Sequence, residues 1–337
     1  MPSQNSWRTA VGLSLLLVLA VASTAMAQKA KPVPLPAEAP REVLAKAKSW
    51  AFQLQDLKPT ALAKSTYDVL VLDTGRGDGR DGLKPADIQR LKKKPDGSRR
   101  LVIAYINIGE AEDYRAYWKA AWTKTPPAWL GASNARWKGD HRVRHWHPDW
   151  QAIVYGAKTS LIGRIISTGY DGVYMDRVDI WQFWCGEQAS TFEDMVGFVE
   201  AISRWAKAEK PGFLIVPQNA EELLQSARYR AAIDGLGKED FLFGDRGNDV
   251  ANFDTRITSA EDLLRLAHAD RIPILAVEYA RNPDNQARAR EHHGRLGHAL
   301  YFGPRSLAFL GQSGPLHAED GDSEPYHAAR GPLSCGG

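Results

Sequence analysis

Short apolar runs recur along the chain, and each ends on a carboxylate or an amide. The clearest run is 173–175, which follows the turn signal Asp171-Gly172 and stops at Asp176. Similar runs at 69–72, 103–108 and 274–277 lead to Asp73, Glu110 and Glu278. Because parallel barrel strands bring their carboxyl ends to one mouth, this pattern predicts that the acids meet there.

Eight apolar runs of strand length alternate with helix-like segments. The predicted strands cover residues 50–55, 67–73, 100–108, 173–175, 213–217, 233–238, 274–277 and 298–302. Helices are predicted at 85–93, 150–166 and 285–296, and capping boxes predict that two more begin at Ser190 and Thr258. A further short helix is predicted to end at about Arg228. Eight such units over roughly 260 residues predict an α/β fold, a (β/α)8 TIM barrel with a long Trp-rich insertion after the third strand.

A doubly wound open sheet is the alternative fold. Its phosphate-binding glycine pattern is poor here, because Gly75-Arg76-Gly77-Asp78-Gly79 misses the third-glycine spacing and opens no helix. The barrel is therefore the favoured prediction.

The two ends of the chain differ in composition from its centre. Arg8, the apolar run 11–21 and Ala25-Met26-Ala27 predict a signal peptide at 1–27, with an uncleaved anchor as the alternative. The mature protein is then expected to be secreted or periplasmic. Residues 28–47 are predicted as a flexible linker, 48–305 as the barrel domain and 306–337 as a C-terminal tail.

Charge and cysteine content narrow the function classes. The net charge of +3 is dispersed, so the sequence gives no case for nucleic-acid binding. Two cysteines, Cys185 and Cys335, permit one disulfide in an exported chain, and two unpaired thiols are the alternative. No cofactor is predicted.

The acids expected at the mouth favour chemistry that uses carboxylates. A pair of carboxylates suits glycoside hydrolysis. The alternative is that the acids cap helices or pair with Arg177, Arg246 and Arg281. His141, His145 and His147 lie in the insertion rather than at strand ends, so no metal site is predicted. The sequence also lacks the Gly-x-Ser-x-Gly elbow of serine hydrolases.

The chain contains eleven tryptophans, many of them near the third and fourth strands. Flat rings with one polar edge pack well on sugar faces, so this number of tryptophans supports a carbohydrate ligand. A hydrophobic core beneath the long loop is the alternative, expected for about half of these rings. They are Trp118, Trp122, Trp129, Trp137, Trp146, Trp150, Trp181 and Trp184.

Several motifs taken together resemble glycoside hydrolase family 114, the endo-α-1,4-polygalactosaminidases, and related extracellular TIM-barrel proteins. The resemblance rests on the segments 105–118, 169–179, 218–219, 235–240 and 277–279. It implies a (β/α)8 barrel that cleaves within α-1,4-linked galactosamine polymers. It further implies a nucleophile after the fourth strand and an acid/base after the sixth, here Asp176 and Glu239, with Glu278 and Glu110 as rivals for the second role.

The remaining candidate residues would bind substrate at the same mouth. They are Asp73, Glu110, Tyr174, Asp179, Trp181, Gln218, Asn219, Glu278 and Tyr301, although core packing is an equal alternative for Tyr174. An acid-lined mouth suits a cationic, unacetylated amino-sugar polysaccharide. The alternative functions are a non-catalytic polysaccharide-binding barrel and a metal-dependent polysaccharide deacetylase. A carboxyl separation of about 5 to 5.5 Å would favour retention, and about 6.5 to 9.5 Å inversion.

Overall fold

A parallel central sheet organises the protein, whose computed structural model describes residues 38–75, 77 and 82–311. Strands are numbered in chain order, and eight of those described build this centre. They are β1 (Trp50–Gln53), β2 (Val69–Asp73), β3 (Leu101–Asn107), β7 (Gly172–Asp176), β8 (Leu214–Pro217), β9 (Leu236–Glu239), β12 (Ile274–Glu278) and β13 (Ala299–Phe302). They follow one another in the order expected of the (β/α)8 fold, which confirms the predicted fold class.

The eight strands form a five-stranded and a three-stranded ladder. The orders are β1-β2-β3-β7-β8 and β13-β12-β9. Gln218 forms a parallel bridge with Gly237, and the Asn219 amide donates to the Gly237 carbonyl at 2.8 Å, so β8 meets β9. On the other side, the Trp50 indole donates to the carbonyls of Ala276 and Ala299, at 3.0 Å each. The first strand is thereby tied to the last two.

The helices lie between the strands, and several begin with proline, whose fixed φ suits the first turn. They are α1 (Pro40–Lys46), α2 (Pro59–Lys64), α3 (Pro85–Leu91), α4 (Pro148–Val154), α5 (Leu161–Thr168), α6 (Trp181–Trp184), α7 (Thr191–Glu209), α8 (Ala227–Ala232), α9 (Asp254–Ala269) and α10 (Pro283–Leu296). Short 3₁₀ turns cover Ala120–Thr123, Val178–Ile180 and Glu221–Gln225.

Three helix predictions are corrected. The segment predicted as one helix at 150–166 is two helices, because Ser160 begins a new one by accepting the Gly163 amide. The capping box at Ser190 does not form, since the Ser190 hydroxyl donates to Asp194 at 2.9 Å instead of accepting a backbone amide. Thr258 lies inside α9, which begins four residues earlier at Asp254.

Two further β elements follow the carboxyl ends of β3 and β9. The insertion folds into an antiparallel sheet in the order β4-β6-β5, made of Glu110–Glu112, Asp140–Val143 and Leu130–Ser133. A hairpin of β10 (Phe243–Gly244) and β11 (Gly247–Ala251) follows β9. Neither element was predicted, and both stand at the end of the strands that carries the candidate acids.

The barrel interior is filled by aromatic rings. Trp50, Phe52 and Tyr174 are buried and pack with ring centroids 5.2 to 6.1 Å apart. Gly237 faces this stack, where an added Cβ would lie 2.0 Å from the Tyr174 hydroxyl oxygen. The sixth barrel strand can approach the ring so closely only because this position lacks a side chain.

Parts of the predicted linker and tail belong to the folded unit. Helix α1 lies within the predicted linker and buries Leu44. The Leu307 carbonyl accepts the Leu54 amide at 2.8 Å, so the start of the tail packs on the first strand. The predicted signal peptide and Cys335 lie outside the described residues, so export and a Cys185–Cys335 bond stay predictions. None of the described helices is long and apolar enough to span a membrane.

Candidate active site

Two carboxylates lie at the carboxyl ends of two barrel strands and face the same mouth. Asp176 is the last residue of β7 and Glu239 the last of β9, with β8 between them. Both residues are half-buried. Burial raises the pKa of Asp176 to about 7, and the negative charge of Glu239 contributes to this rise. The two groups therefore lie within electrostatic range of each other.

Asp176 is held by one neighbour on each oxygen. The Tyr105 hydroxyl donates to Oδ2 at 2.7 Å, and the Arg177 amide donates to Oδ1 at 2.7 Å. Tyr105 reaches this oxygen because β3 lies beside β7, with Asn107 opposite Asp176 in the ladder. The Tyr105 hydrogen bond and the Arg177 charge both favour the ionised carboxylate and oppose the effect of burial on its pKa.

Glu239 also has a donor on each oxygen. The Tyr279 hydroxyl donates to Oε1 at 2.6 Å, and the Gln218 side-chain amide donates to Oε2 at 2.7 Å. The Glu239 amide donates to the Asn219 side chain at 3.1 Å, which ties β9 to the end of β8. Burial and the adjacent charge of Asp240 raise the pKa of Glu239, while the Tyr279 hydrogen bond lowers it.

A pair of this kind can work as acid and base. Two carboxylates with raised pKa values at one mouth do not ionise together as readily as isolated ones. One can remain charged while the other keeps its proton near neutral pH. That division of roles is what hydrolysis of a glycosidic bond requires.

The segment after Asp176 is fixed by a charged group. Arg177 has a left-handed φ of 58°, and its side chain lies 3.5 Å from Glu110 and 3.6 Å from Asp179. Asp179 is thereby kept at the mouth, and its charge adds to the raised pKa of Asp176.

The insertion sheet adds acids beside the pair. Asp140 stands opposite Glu112 in the β4–β6 ladder and is half-buried. Burial raises the pKa of Asp140 to about 8, and the charges of Glu112, Glu110 and Asp176 contribute. Glu110, the first residue of β4, lies 3.5 Å from Arg177, which directly follows Asp176, so the insertion sheet lies at the mouth.

Three aromatic residues predicted to bind substrate are buried, Tyr174 and Tyr301 on barrel strands and Trp181 in α6. Tyr174 is fully buried in the aromatic stack, and its hydroxyl oxygen has no hydrogen-bond partner among the described residues. Tyr301 is buried and accepts the Gly311 amide at 2.6 Å. Trp181 is also buried, with its ring packed edge-on against Phe192. For these three rings the structure shows packing within the protein, and a substrate-binding role stays a prediction.

Three predicted acids are engaged by protein groups. Asp73 receives two hydrogen bonds from Arg115, at 2.7 and 3.0 Å. Glu110 is fully buried and accepts the Asn134 amide group at 2.9 Å in addition to its contact with Arg177.

Glu278 is fully buried and accepts the Leu242 amide at 2.8 Å. Glu110 lies near Arg177, one of the arginines named in that alternative, whereas Asp73 pairs with Arg115, which was not among them. Glu278 instead anchors a loop. Burial also argues against Glu278 and Glu110 as rivals of Glu239.

The structure identifies residues of the site that the sequence did not predict. Tyr105 and Tyr279 donate to the two carboxylates, and Arg305 forms two 2.9 Å hydrogen bonds with Asp240. Tyr105 could have been found from the two-residue period of a strand, since it shares a face with Asn107. Arg305 gives no such signal, because it lies beyond the last strand.

More of the tryptophans near these loops belong to the core than the half expected. Trp129, Trp150, Trp181 and Trp184 are buried, and Trp118, Trp122 and Trp146 are partly buried and pack against the core. Trp137, in the turn between β5 and β6, is 52% exposed. Among the described residues, no cluster of histidine, cysteine or acidic side chains has the arrangement of a metal site.

Comparison with known sequences identifies a family. The family model of glycoside-hydrolase family GH114 matches residues 30–307. An uncharacterized protein from Deinococcus radiodurans is 33% identical over 274 residues, which are 79% of this chain and 83% of the relative. An uncharacterized protein from Methanocaldococcus jannaschii is 35% identical over 202 residues, which are 58% of this chain. The chain spans only 56% of that relative's length.

Two solved structures share the fold. The glycoside hydrolase domain of PelA from Pseudomonas aeruginosa has a TM-score of 0.59 at 21% identity, covering 80% of this chain and 100% of that domain. Ega3 from Aspergillus fumigatus, in complex with galactosamine, has a TM-score of 0.56 at 16% identity, covering 79% of this chain and 94% of Ega3. At these identities the likeness concerns the fold.

Proposed function

The chain belongs to glycoside-hydrolase family GH114, and from this premise we propose that it cleaves an amino-sugar polysaccharide at internal α-1,4 linkages, with polygalactosamine as the substrate. One observation supports this most. Asp176 and Glu239 face one mouth, both with raised pKa values and each with a tyrosine hydroxyl on one oxygen.

In the proposed reaction, Asp176 is the nucleophile. Its carboxylate attacks the anomeric carbon, and the bond to the leaving oxygen breaks, which gives a covalent glycosyl-enzyme. The Tyr105 hydroxyl and the Arg177 amide hold the two carboxylate oxygens, and the Tyr105 hydrogen bond favours the ionised form against the effect of burial.

Glu239 is the proposed acid and base. It gives its proton to the leaving oxygen, and then takes a proton from the water that releases the sugar from Asp176. Partial burial and, after it, the charge of Asp240 raise the pKa of Glu239, as the acid role requires. Gln218 and Tyr279 orient the carboxyl group toward the bond that breaks.

The acidic surroundings support a cationic substrate. Asp140 and Asp179 lie near Asp176, and an unacetylated amino sugar carries a positive charge near neutral pH. An ammonium group would offset the repulsion among these acids, whereas a uronic acid would add to it. That Ega3 was solved with galactosamine agrees with this choice of sugar.

The test measures cleavage of unacetylated galactosamine polymer by mass spectrometry of the products. Asp176→Asn and Glu239→Gln should each lower the rate by about 10²- to 10⁴-fold. Asp113→Asn, at a more exposed acid of the insertion, should stay close to wild type. The proposal is wrong if the wild type cuts polygalacturonate and leaves galactosamine polymers intact. A wild type that binds these polymers but cleaves none would indicate the binding barrel.

A further inference from the structure

A chain of three histidines connects the outer helices to buried Glu278. His268 Nε2 lies 3.1 Å from His298 Nε2, and His298 Nδ1 lies 3.0 Å from His293 Nδ1. His293 Nε2 lies 3.1 Å from Glu278 Oε1. The three rings come from α9, α10 and the residue before β13, so the sequence does not place them together.

One set of tautomers satisfies the hydrogen-bond partners of the three rings, and we assign it from the groups around Glu278. Glu278 Oε1 already accepts the Leu242 amide, so we take the carboxylate as the acceptor and His293 Nε2 as the donor. A neutral His293 then offers Nδ1 as an acceptor. His298 must donate from Nδ1, and its Nε2 must accept from His268. Each ring thus sets the tautomer of the next.

Glu278 holds the turn that follows Glu239. Its oxygens accept the amides of Leu242 and Phe243, at 2.8 and 3.4 Å, and both of those residues are buried. Asp240, directly after Glu239, has a left-handed φ of 49°, a conformation that a non-glycine residue adopts only when its surroundings impose it. The Phe241 ring lies 5.6 Å from the His293 ring, so the turn also packs against the histidines.

We propose that His293, with His298 and His268 behind it, is a positioning residue that aims Glu239 by keeping Glu278 in place as the acceptor for the Leu242 and Phe243 amides. This inference rests on the proposed role of Glu239 as the catalytic acid. Without the His293 donor, Glu278 loses a hydrogen bond in a fully buried site, and the turn loses its fixed anchor.

The test compares two replacements of His293. Leucine removes both hydrogen-bonding nitrogens, whereas glutamine offers one donor for Glu278 and one acceptor for His298. His293→Leu should lower kcat by about 10- to 100-fold on galactosamine polymer, because a small displacement of a catalytic group is costly. Its KM should change by less than about threefold. His293→Gln should recover most of kcat.

Amide hydrogen exchange, measured without substrate, gives a second readout. His293→Leu should speed exchange at Leu242 and Phe243 by at least about tenfold, since their acceptor is no longer fixed. The matched control is Glu291→Gln. Glu291 is an exposed residue of α10 two positions before His293, so both readouts should match wild type.

The outcomes separate this inference from the proposed function. If the wild type cleaves no polymer, the proposed function fails, and the exchange rates still decide the role of His293. Unchanged exchange in His293→Leu overturns the inference, as does an equal loss of kcat in Glu291→Gln or no recovery in His293→Gln. If His293→Leu does not fold, His298→Leu replaces it, with faster exchange at the same two amides expected.

Discussion

The Tyr279 hydroxyl donates a hydrogen bond to Glu239, and its removal gives the most direct test of Glu239 as the proposed acid. Tyr279→Phe deletes the 2.6 Å hydrogen bond to Glu239 Oε1 and leaves the buried ring in place. Because this hydrogen bond lowers the pKa of Glu239, its loss should raise that pKa. The acid then keeps its proton to higher pH, and the alkaline limb of the kcat/KM profile should move upward.

The size of the effect follows from the bond that is lost. A hydrogen bond to a charged group contributes about 1.5 to 3 kcal/mol. Glu239 is half-buried, so water replaces part of the interaction and the lower end applies. About 1.4 kcal/mol corresponds to a tenfold change in a proton equilibrium, which moves the alkaline midpoint upward by about one pH unit.

The matched variant is Tyr105→Phe, which deletes the corresponding hydrogen bond to Asp176. The Tyr105 bond lowers the pKa of Asp176, so its loss should move the acidic limb upward and leave the alkaline limb in place. Initial rates on galactosamine polymer from about pH 4 to 10 measure both limbs. An alkaline limb that stays or falls in Tyr279→Phe would refute the assignment of Glu239 as the acid.

Three further predictions concern stability. Tyr174→Phe removes a buried hydroxyl without a hydrogen-bond partner among the described residues, so it should raise the free energy of unfolding in urea by about 1 kcal/mol and leave kcat unchanged. Arg115→Met strips the buried partner from Asp73 and Glu112 and should lower that free energy by about 3 to 5 kcal/mol. The raised pKa of Asp140, about 8, means that the folded state binds this proton more tightly than the unfolded chain. That stabilisation is complete below the unfolded pKa of about 4 and is lost as pH rises toward 8, so Asp140→Asn should lose less Tm than wild type between about pH 5 and 8.

The strand order was readable from the sequence because each barrel strand is a short apolar run. Buried parallel strands need apolar side chains on both faces, and the run at 173–175 followed by Asp176 shows both the strand and its end. The positions of Asp176 and Glu239 at one mouth follow from this order. Strand patterns therefore carry both the fold and the location of the candidate pair.

Contacts between distant residues could not be read in the same way. Whether Asp73 faces substrate or Arg115 depends on a side chain 42 residues away in the insertion. Glu278 looked like Asp176 in sequence, since both are acids that end an apolar run. Only the fold shows that His293 and the Leu242 amide use its oxygens. Local sequence patterns locate the ends of strands, but burial in the fold decides which acids at those ends remain available to a substrate.

The ion pair between Asp240 and Arg305 joins two residues of the mouth that are synthesised at different times. Arg305 follows the last barrel strand and lies 65 residues after its partner. During synthesis, the carboxylate next to Glu239 has no such counter-ion until nearly all of the barrel has emerged from the ribosome. A nascent chain that stops before this arginine would lack the ion pair of Asp240, even where Glu278 already holds the turn. The mouth is therefore completed only late in translation.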